Sequence, residues 1–474
     1  MKKFLSFFLV VLIFVFAGCE NVEYHTESSS EEVSLEFYDQ LESQLPSLET
    51  PEEGRDFVIL TDSKATFLPD DNAPESVSLA VSERNSFLEM KYGINIIVKE
   101  LNASEIANEL MVAEKSGNRI CDMISVSAEE TVKLFTAGLL GDFNKLTNFN
   151  LENGFFDTEL TRPLATNNSI YMLADPSTNP FDNASVIFYN RNLFKAPEGG
   201  EDVETLALQG KWTWDKFNEY CRSSVPDAYS SRGGDVKKDT FAFGSGFSDE
   251  DFVASMWSSC NQSMVSDSYK QPIELTSRDE AMPTIEFLRA AFNVRGRFPL
   301  AGNDARNAFE EGRLAFYCDN LGYIHNLRDG SAKGTEFGFL PMPKMNEEQE
   351  SYRCLLNPDA RVISIPKSLE NADDETKNFV SVIISATCAA GGVTMEKAYE
   401  TTLLGLYLIS NNEILLTQTI INSVNFDFAV TFGSAIDEIY KPTIKPIADS
   451  VSKGLSFTTA GKQDFKEYCE TNFQ

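Results

Sequence analysis

The chain has 474 residues, and its 72 acidic and 40 basic side chains give a formal net charge of -32. This length predicts two or three domains or lobes, and a hydrophobic content of 42% is enough to form real cores. The acidic balance excludes nucleic-acid binding, which needs dense Lys and Arg. With only two histidines, His25 and His325, neither a His-based metal site nor a His-dependent catalytic relay is expected. The composition favours a binding protein over an enzyme, with no cofactor, no metal and no catalytic residue.

The N-terminus has the pattern of an export signal that ends at a cysteine. Lys2 and Lys3 precede an apolar run from Phe4 to Phe16. As a helix this run would span about 20 Å, short of the ~30 Å core of a bilayer. The following Ala17-Gly18-Cys19 resembles a bacterial lipobox, with Phe16 where Leu is usual. We expect residues 1–18 to be a lipoprotein signal peptide and Cys19 to carry the lipid; a buried or disulfide-bonded Cys19 is the alternative. No later segment is expected to span a membrane.

Residues 19–55 are predicted to be an acidic, flexible tether. They contain a single base, Arg55, and eleven acids: Glu20, Glu23, Glu27, Glu31, Glu32, Glu36, Asp39, Glu42, Glu49, Glu52 and Glu53. Like charges repel and extend such a chain, so a solvated spacer explains the run without a binding partner.

Seven further cysteines lie beyond Cys19, an odd number without any C-x-x-C pair. They are Cys121, Cys221, Cys260, Cys318, Cys354, Cys388 and Cys469. At least one thiol must stay unpaired, which argues against a dense disulfide scaffold. We expect these residues to act as small buried hydrophobes.

The first folded segment alternates strands and helices. Strands are predicted at Phe57–Leu60, Ile94–Val98 and Asp122–Val126, and helices at Ser78–Tyr92, at 104–115 with Ser104 as cap, and at 128–140 with Ser127 as cap. This order predicts a parallel sheet with helices on both faces. Ligands of such sheets bind at the carboxyl ends of the strands, so the loop Ser125–Glu129 is a candidate cleft edge.

The remaining elements continue the α/β pattern. Strands are predicted at Ser185–Asn190, Leu314–Cys318, Phe337–Leu340 and Arg361–Ile365, and helices from Trp214 (capped by Thr213) through Cys221 and at 249–259, 278–295, 303–312 and Asp374–Cys388. No period of 20–50 residues repeats, which argues against a solenoid or propeller.

Seven segments, in order over roughly residues 56–470, resemble the extracellular solute-binding proteins of ABC importers, especially the family associated with sugars. The segments are 80–98, Cys121–Phe143 (through AGLLGDF), 185–194 (SVIFYNRNLF), Gly210–Phe217 (GKWTWDKF), Phe309–Phe316 (FEEGRLAF), Phe337–Pro343 (FGFLPMP) and 361–388.

The resemblance implies a two-lobed periplasmic-binding-protein-like fold, with a hinge and a ligand cleft between the lobes. Lobe 1 would comprise 56–180 with 356–395, and lobe 2 would comprise 181–355 with 396–474. The protein would be a lipid-anchored, extracytoplasmic binder that captures a mono- or oligosaccharide and delivers it to the permease of an ABC importer. Two alternatives stay open: a secreted, lipid-anchored glycoside hydrolase, and a surface-display lipoprotein that binds a protein partner.

A sugar cleft combines aromatic rings with planar polar groups, and this requirement selects the candidate site residues. In lobe 2, Trp257 and Tyr323 are candidates for stacking, with a core tryptophan and a non-stacking tyrosine as the alternatives. Asp319 and Asn320 follow a strand and would bind hydroxyls or cap the turn. The aromatic content of 11% also points to such a ligand.

In lobe 1, Glu129 is a candidate acceptor for ligand hydroxyls, or an acid that only favours the helix start. Arg361 at the return hinge would contact ligand or form a structural ion pair with Asp359. Trp212 and Trp214 are expected to pack into their lobe rather than stack on ligand.

Overall fold

The structure is a computed structural model. It describes residues 37–48, 54–225, 235, 237–266, 274–275, 278–293, 296–327, 336–406, 410–458 and 461–472. The predicted signal peptide, Cys19 and most of the predicted tether lie outside the described residues. The chain divides into two compact units, Met1–Leu45 and Pro46–Gln474. In the first unit, residues 37–42 are helical.

The strands lie at β1 Arg55–Thr61, β2 Ile94–Glu100, β3 Met123–Ser127, β4 Ser185–Asn190, β5 Phe241–Ser245, β6 Val265–Ser266, β7 Glu274–Leu275, β8 Arg297–Ala301, β9 Leu314–Asn320, β10 Phe337–Pro341, β11 Cys354–Leu355, β12 Arg361–Ser364 and β13 Val424–Asn425.

The α-helices lie at α1 Glu75–Tyr92, α2 Ala103–Ser116, α3 Ala128–Thr136, α4 Thr158–Thr161, α5 Val203–Leu208, α6 Trp214–Ser224, α7 Asp249–Ser259, α8 Arg278–Phe292, α9 Asn303–Glu310, α10 Tyr323–Asn326, α11 Asp374–Leu406, α12 Asn411–Ile421, α13 Phe428–Gly433, α14 Asp437–Tyr440, α15 Ile444–Ser452 and α16 Lys462–Asn472. Short 3-10 helices lie at Lys64–Thr66, Phe143–Lys145, Leu151–Asn153, Arg162–Leu164, Pro176–Thr178, Phe181–Asn183 and Lys367–Asn371.

The first lobe is built on a four-stranded sheet in the order β12-β3-β1-β2. β1 pairs in parallel with both β2 and β3, which confirms the parallel core predicted from the alternation of strands and helices. β12 returns from much later in the chain and pairs antiparallel with β3, so the complete sheet is mixed.

The second lobe is built on a five-stranded sheet in the order β10-β4-β9-β5-β8. β5 is parallel to β8 and β9, whereas β4 runs antiparallel to β9 and β10. β4 has the predicted bounds and is buried along its whole length. β5 and β8 are strands that the sequence pattern did not predict.

Backbone pairing ties the segments that leave and re-enter the first lobe. Ala184, just before β4, forms an antiparallel bridge with Leu356, and Leu173 forms another with Ile363 of β12. Near the C-terminus, Phe432 of α13 packs edge-on against Phe135 of α3, with ring centroids 5.8 Å apart.

Helix caps follow the sequence in two of three predicted cases. Ser127 and Thr213 accept hydrogen bonds from the amides of Glu130 and Lys216, as predicted. The predicted cap Ser104 is wrong. Asn102 begins α2 through a capping box with Glu105, because its side-chain oxygen reaches the Glu105 amide at 3.0 Å.

Helix α11 runs 33 residues from Asp374 to Leu406, well beyond the predicted end at Cys388. Gly391 does not stop it; a Cβ there would lie 2.6 Å from the Cβ of Ser177 and 3.1 Å from Cδ of Arg84, so glycine permits a close approach. By length and composition, residues 374–403 could cross a membrane, which contradicts the expectation that no later segment would. Their most apolar window is 72% buried inside the protein, however, so this is a core helix.

The cysteines beyond Cys19 are all buried and unpaired, in agreement with a role as small hydrophobes. Burial raises the pKa of the Cys221, Cys318 and Cys388 thiols far above the ordinary value, which keeps them protonated and unreactive.

Carboxyl groups collect where α11 passes the 3-10 helix Pro176–Thr178; Asp175 is buried, and Asp157 and Glu396 are half-buried. Burial raises the pKa of Asp175 from 3.8 to about 6 and that of Glu396 from 4.5 to about 7. The neighbouring Asp157 adds to both shifts through charge repulsion. The folded state therefore binds more protons than the unfolded state between about pH 4 and pH 7. Its free energy of unfolding must fall as the pH rises through this window.

We predict that Glu396→Gln stabilises the protein at pH 8 and leaves it nearly unchanged at pH 4. The gain should be on the order of 1 kcal/mol, because the substitution removes a desolvated charge from a partly buried site. Denaturant unfolding at both pH values measures it. Glu375→Gln, whose side chain is 88% exposed on the first turn of α11, is the control and should not change the pH dependence. An equal gain at both pH values would contradict the assignment.

Candidate ligand-binding cleft

A cavity of about 470 Å³ lies where the two sheets present the carboxyl ends of their strands. The first lobe contributes Glu129, just after β3. The second contributes Asp319 and Asn320 at the end of β9, and Gly246 and Phe247 just after β5. This position matches the rule that ligands of α/β sheets bind at the carboxyl ends of strands.

Glu129 lies in the first turn of α3, where the sequence placed it, and its carboxylate forms an ion pair with Lys133 at 2.8 Å. The Glu129 amide donates to the carbonyl of Pro358 at 2.9 Å, which fixes the helix start against the segment returning to the first lobe. The side chain is 36% exposed and lines the cavity, so its oxygens can accept from a ligand.

Asp319 is buried and fully hydrogen-bonded. Its Oδ2 accepts from Tyr317 Oη at 2.5 Å and from Arg306 Nη2 at 3.0 Å, and its Oδ1 accepts from the Asn320 amide at 2.8 Å. Asp319 therefore organises its neighbours and has little capacity left for a ligand. In contrast, the side-chain oxygen of Asn320 is buried without a partner among the described residues, so it retains an acceptor for the cavity.

Tyr323 lies behind Arg306 and does not line the cavity. Its ring faces the Arg306 guanidinium at 4.8 Å from Cζ to the ring centroid, and its hydroxyl donates to Glu310. Only 5% of the residue is exposed. The proposed sugar-stacking position is thus covered by Arg306, a cavity residue that the sequence reasoning missed.

Trp257 lies in the core, as in the alternative interpretation, and is fully buried. Asp251 and Ser255 of the same helix α7 line the cavity instead. They are four residues apart and share one face, whereas Trp257 is two residues past Ser255 and points about 200° away. The 3.6-residue period could have identified Asp251 and Ser255 in advance.

Arg361 lines a different cavity of about 270 Å³, beside α1 and residues 178–183. Its Nη1 binds Asp62 Oδ1 at 2.6 Å and the carbonyl of Ser125 at 2.7 Å. The expected ion pair with Asp359 is replaced by this pair with Asp62. Asp359 itself is exposed and lines both cavities.

The tryptophans do not form a stacking platform in this structure. All three are fully buried, and Trp212 and Trp214 donate their indole N–H groups to the Pro341 carbonyl and to Ser259 Oγ. Phe247 is the aromatic residue among those lining the larger cavity. The expectation that aromatic side chains mark the ligand site is therefore wrong for the tryptophans. Trp212 and Trp214 pack inside the second lobe, as predicted, and Trp257 does so too.

The charge of the cavity is acidic. Four carboxylates, from Glu129, Asp251, Asp319 and Asp359, line it together with one guanidinium, from Arg306. Among the described residues, no cluster of three or more His, Cys, Asp or Glu side chains has the geometry to hold a metal ion.

This chain aligns with solved structures of the same fold over nearly the whole length of those structures. The maltose-binding periplasmic protein of Listeria monocytogenes, solved with maltose, is 14% identical with a TM-score of 0.53, over 88% of this chain and 97% of that one. A cyclo/maltodextrin-binding protein solved with maltotetraose is 15% identical with a TM-score of 0.54, over 90% and 99%. A family 1 extracellular solute-binding protein from Bifidobacterium longum subsp. infantis is 13% identical with a TM-score of 0.53, over 88% and 100%.

The chain has the two-lobed fold of periplasmic binding proteins. This confirms the predicted fold class, with a cleft between two α/β lobes. No protein-family model matches the sequence. A search of curated proteins also finds no match.

The wall of the cavity at Gly246 leaves no room for a side chain, since a Cβ there would overlap Tyr317 Oη and Asp319 Oδ2. We predict that Gly246→Ala destabilises the protein by about 2 kcal/mol or more, because it must displace a buried hydrogen-bonded pair. Chemical denaturation measures the change.

Gly392→Ala is the matched control. It lies inside α11 with open space around the new Cβ, and it should stabilise the helix by about 0.5–1 kcal/mol. If Gly246→Ala were as well tolerated as Gly392→Ala, the packing described for this wall would be wrong.

Proposed function

We propose that this protein is the extracytoplasmic solute-binding component of an ABC importer and captures a carbohydrate-like solute between its lobes. The observation that carries the proposal is the cavity of about 470 Å³, whose polar lining comes from both lobes. A volume of this size falls in the range of small-molecule sites. The solved structures with the same fold are binding proteins, two of them with maltose or maltotetraose bound.

Closure of the two lobes is the proposed mechanism, without covalent chemistry. A ligand that contacts Glu129 on one lobe and Asn320 on the other stabilises the closed state, because only that state makes both contacts. The short segments before Ser185 and after Leu356 would act as hinges. The boundaries predicted for the lobes belong to this proposal.

The proposed location is the outer face of the bacterial cell membrane, with lipid on Cys19 and an acidic tether between lipid and lobes. Extracellular solute-binding proteins share the fold, which supports an extracytoplasmic location. Delivery of the solute to a permease belongs to the same proposal.

We predict that a saccharide of the correct type raises the melting temperature of the purified protein by a few degrees. At a hundredfold excess over Kd, ligand binding adds about 2.7 kcal/mol to the free energy of unfolding. Thermal denaturation with a saccharide panel that includes maltose and maltotetraose identifies the ligand, and calorimetry gives its Kd.

Asn320→Ala should weaken binding of that saccharide about tenfold, because a buried hydrogen bond is lost. Asn326→Ala, an exposed position on α10, should leave the affinity unchanged. Absence of binding across the panel would rule out the carbohydrate assignment. Release of shorter products from oligosaccharides would favour the hydrolase, and a captured protein partner without any solute would favour the display role.

We predict that Cys19→Ser abolishes incorporation of a clickable fatty acid and moves the protein from the membrane to the soluble fraction. Stable anchoring needs the acyl chains that Cys19 would carry. Fractionation and in-gel fluorescence of cells producing each form measure this. Cys121→Ser, in the folded region, is the control and should stay labelled and membrane-bound. Continued labelling of Cys19→Ser would disprove the assigned lipidation site.

A further inference from the structure

Arg306 is the cationic side chain among the residues that line the larger cavity. A guanidinium carries five N–H donors. Here Nη2 is bound to Asp319 Oδ2 at 3.0 Å, while Nε is buried and has no hydrogen-bond partner in the described part of the chain. A buried donor without a partner is costly, and a ligand oxygen would relieve that cost.

The guanidinium is held on two sides. Asp319 fixes its edge, and Tyr323 supports its face at 4.8 Å. Both supports are themselves fixed, because Tyr317 donates to the same Asp319 oxygen and the Tyr323 hydroxyl donates to Glu310. The absence of a side chain at Gly246 brings the backbone directly onto this network. Arg306 is thus preorganised, which reduces the entropy lost when a ligand binds.

The charge around Arg306 determines which ligand its free donors suit. Asp319 already neutralises the guanidinium in a close ion pair. Of the other carboxylates that line the cavity, Glu129 is paired with Lys133 at 2.8 Å, whereas Asp251 and Asp359 add negative charge that no cation in the cavity lining offsets. An anionic ligand would meet net repulsion, whereas a neutral hydroxyl or ring oxygen can accept from Arg306 without a charge penalty.

We propose that Arg306 is a ligand-contacting residue positioned by Asp319 and Tyr323, and that the cavity selects uncharged saccharides over acidic ones such as uronates. This inference rests on the proposed carbohydrate-binding function. It changes the roles of two predicted site residues, since Asp319 and Tyr323 act on the ligand through Arg306.

The selectivity is tested by calorimetry of the full protein with matched tetrasaccharides. The neutral probes are maltotetraose, cellotetraose, mannotetraose and xylotetraose, and the acidic probes are tetragalacturonate and tetramannuronate. We expect the best neutral probe to bind at least about tenfold more tightly than either acidic probe. An acidic probe that binds equally or more tightly overturns the inference and leaves the carbohydrate function intact. If no probe binds, the carbohydrate function fails, and this inference fails with it.

The role of Arg306 is tested with the best neutral probe. Arg306→Ala should weaken binding about thirtyfold or more, and Arg306→Lys about tenfold, because lysine keeps the charge but loses the planar fork. Arg306→Lys also guards against misfolding of the alanine variant, and melting temperatures are measured for both. Arg162→Ala, in an exposed ion pair with Glu152, is the control and should bind normally. Wild-type affinity in both Arg306 variants overturns the proposal.

The positioning role has its own readouts. Tyr323→Phe keeps the ring but loses the hydroxyl that binds Glu310 and should weaken binding about threefold, whereas Tyr323→Leu also loses the ring and should weaken it about tenfold. Combining Tyr323→Leu with Arg306→Ala should add no further loss, because both act through one guanidinium. Asp319→Asn should raise the affinity for acidic relative to neutral probes by about three- to tenfold, since it leaves the charge of Arg306 uncompensated. Additive losses, or an unchanged ratio for Asp319→Asn, would overturn the positioning role.

Discussion

The cleft depends on the backbone of one short segment, residues 356–361, which hydrogen-bonds to both lobes. Its carbonyls at Pro358 and Ala360 accept from the amides of Glu129 and Ala128, at the start of a first-lobe helix. On the other side, the Asn357 amide donates to the carbonyl of Asn183, just before the first strand of the second lobe. Ala128 and Ala360 are fully buried, and buried backbone groups must be paired, so the bond between them is obligatory and fixes the register of this segment. They bring Glu129 and Asn320 to the same cavity although 190 residues separate them in sequence.

The polar network around Asp319 extends this order into the cavity wall. Tyr317 and Asp319 lie two residues apart on the same face of a buried strand. The helix before that strand supplies Arg306. An incomplete buried network destabilises the fold, because it leaves polar groups without partners. A complete network fixes the orientation of each side chain in it. The unpartnered oxygen of Asn320 and Nε of Arg306 are the places where this wall is incomplete without a ligand.

The sequence predicts most of the fold, because the fold follows local patterns. Apolar runs gave the strands of the first lobe, and Ser127 and Thr213 cap helices through their own side chains. The strand at Phe241–Ser245 was missed since its FAFGS pattern includes a glycine, which is depleted in strands. A glycine is needed at this position, because a Cβ at position 244 would overlap the side chain of Leu314. The continuation of the long helix beyond Cys388 was missed because of Gly391, which is unfavourable inside a helix but allows close packing here.

The candidate site was less accessible from sequence than the fold. Glu129, Asp319 and Asn320 were found because they follow strands, and the topology brings such positions to one edge. Arg306 lies mid-helix, and only the tertiary pairing with Asp319 reveals it. The tryptophans were misleading because large aromatic side chains bury much apolar area, and all three tryptophans lie in the core of the second lobe.

The seven buried, unpaired thiols impose a condition on how the chain reaches its native state. In the proposed extracytoplasmic location, the folding chain would meet oxidants while its cysteines are still exposed, and seven thiols allow many wrong pairings. Once folded, burial removes every one of them from thiol–disulfide exchange. In that location, the cores of the lobes would have to form faster than incorrect disulfides. With these seven thiols buried and unpaired, the stability of the folded lobes does not depend on a disulfide between them.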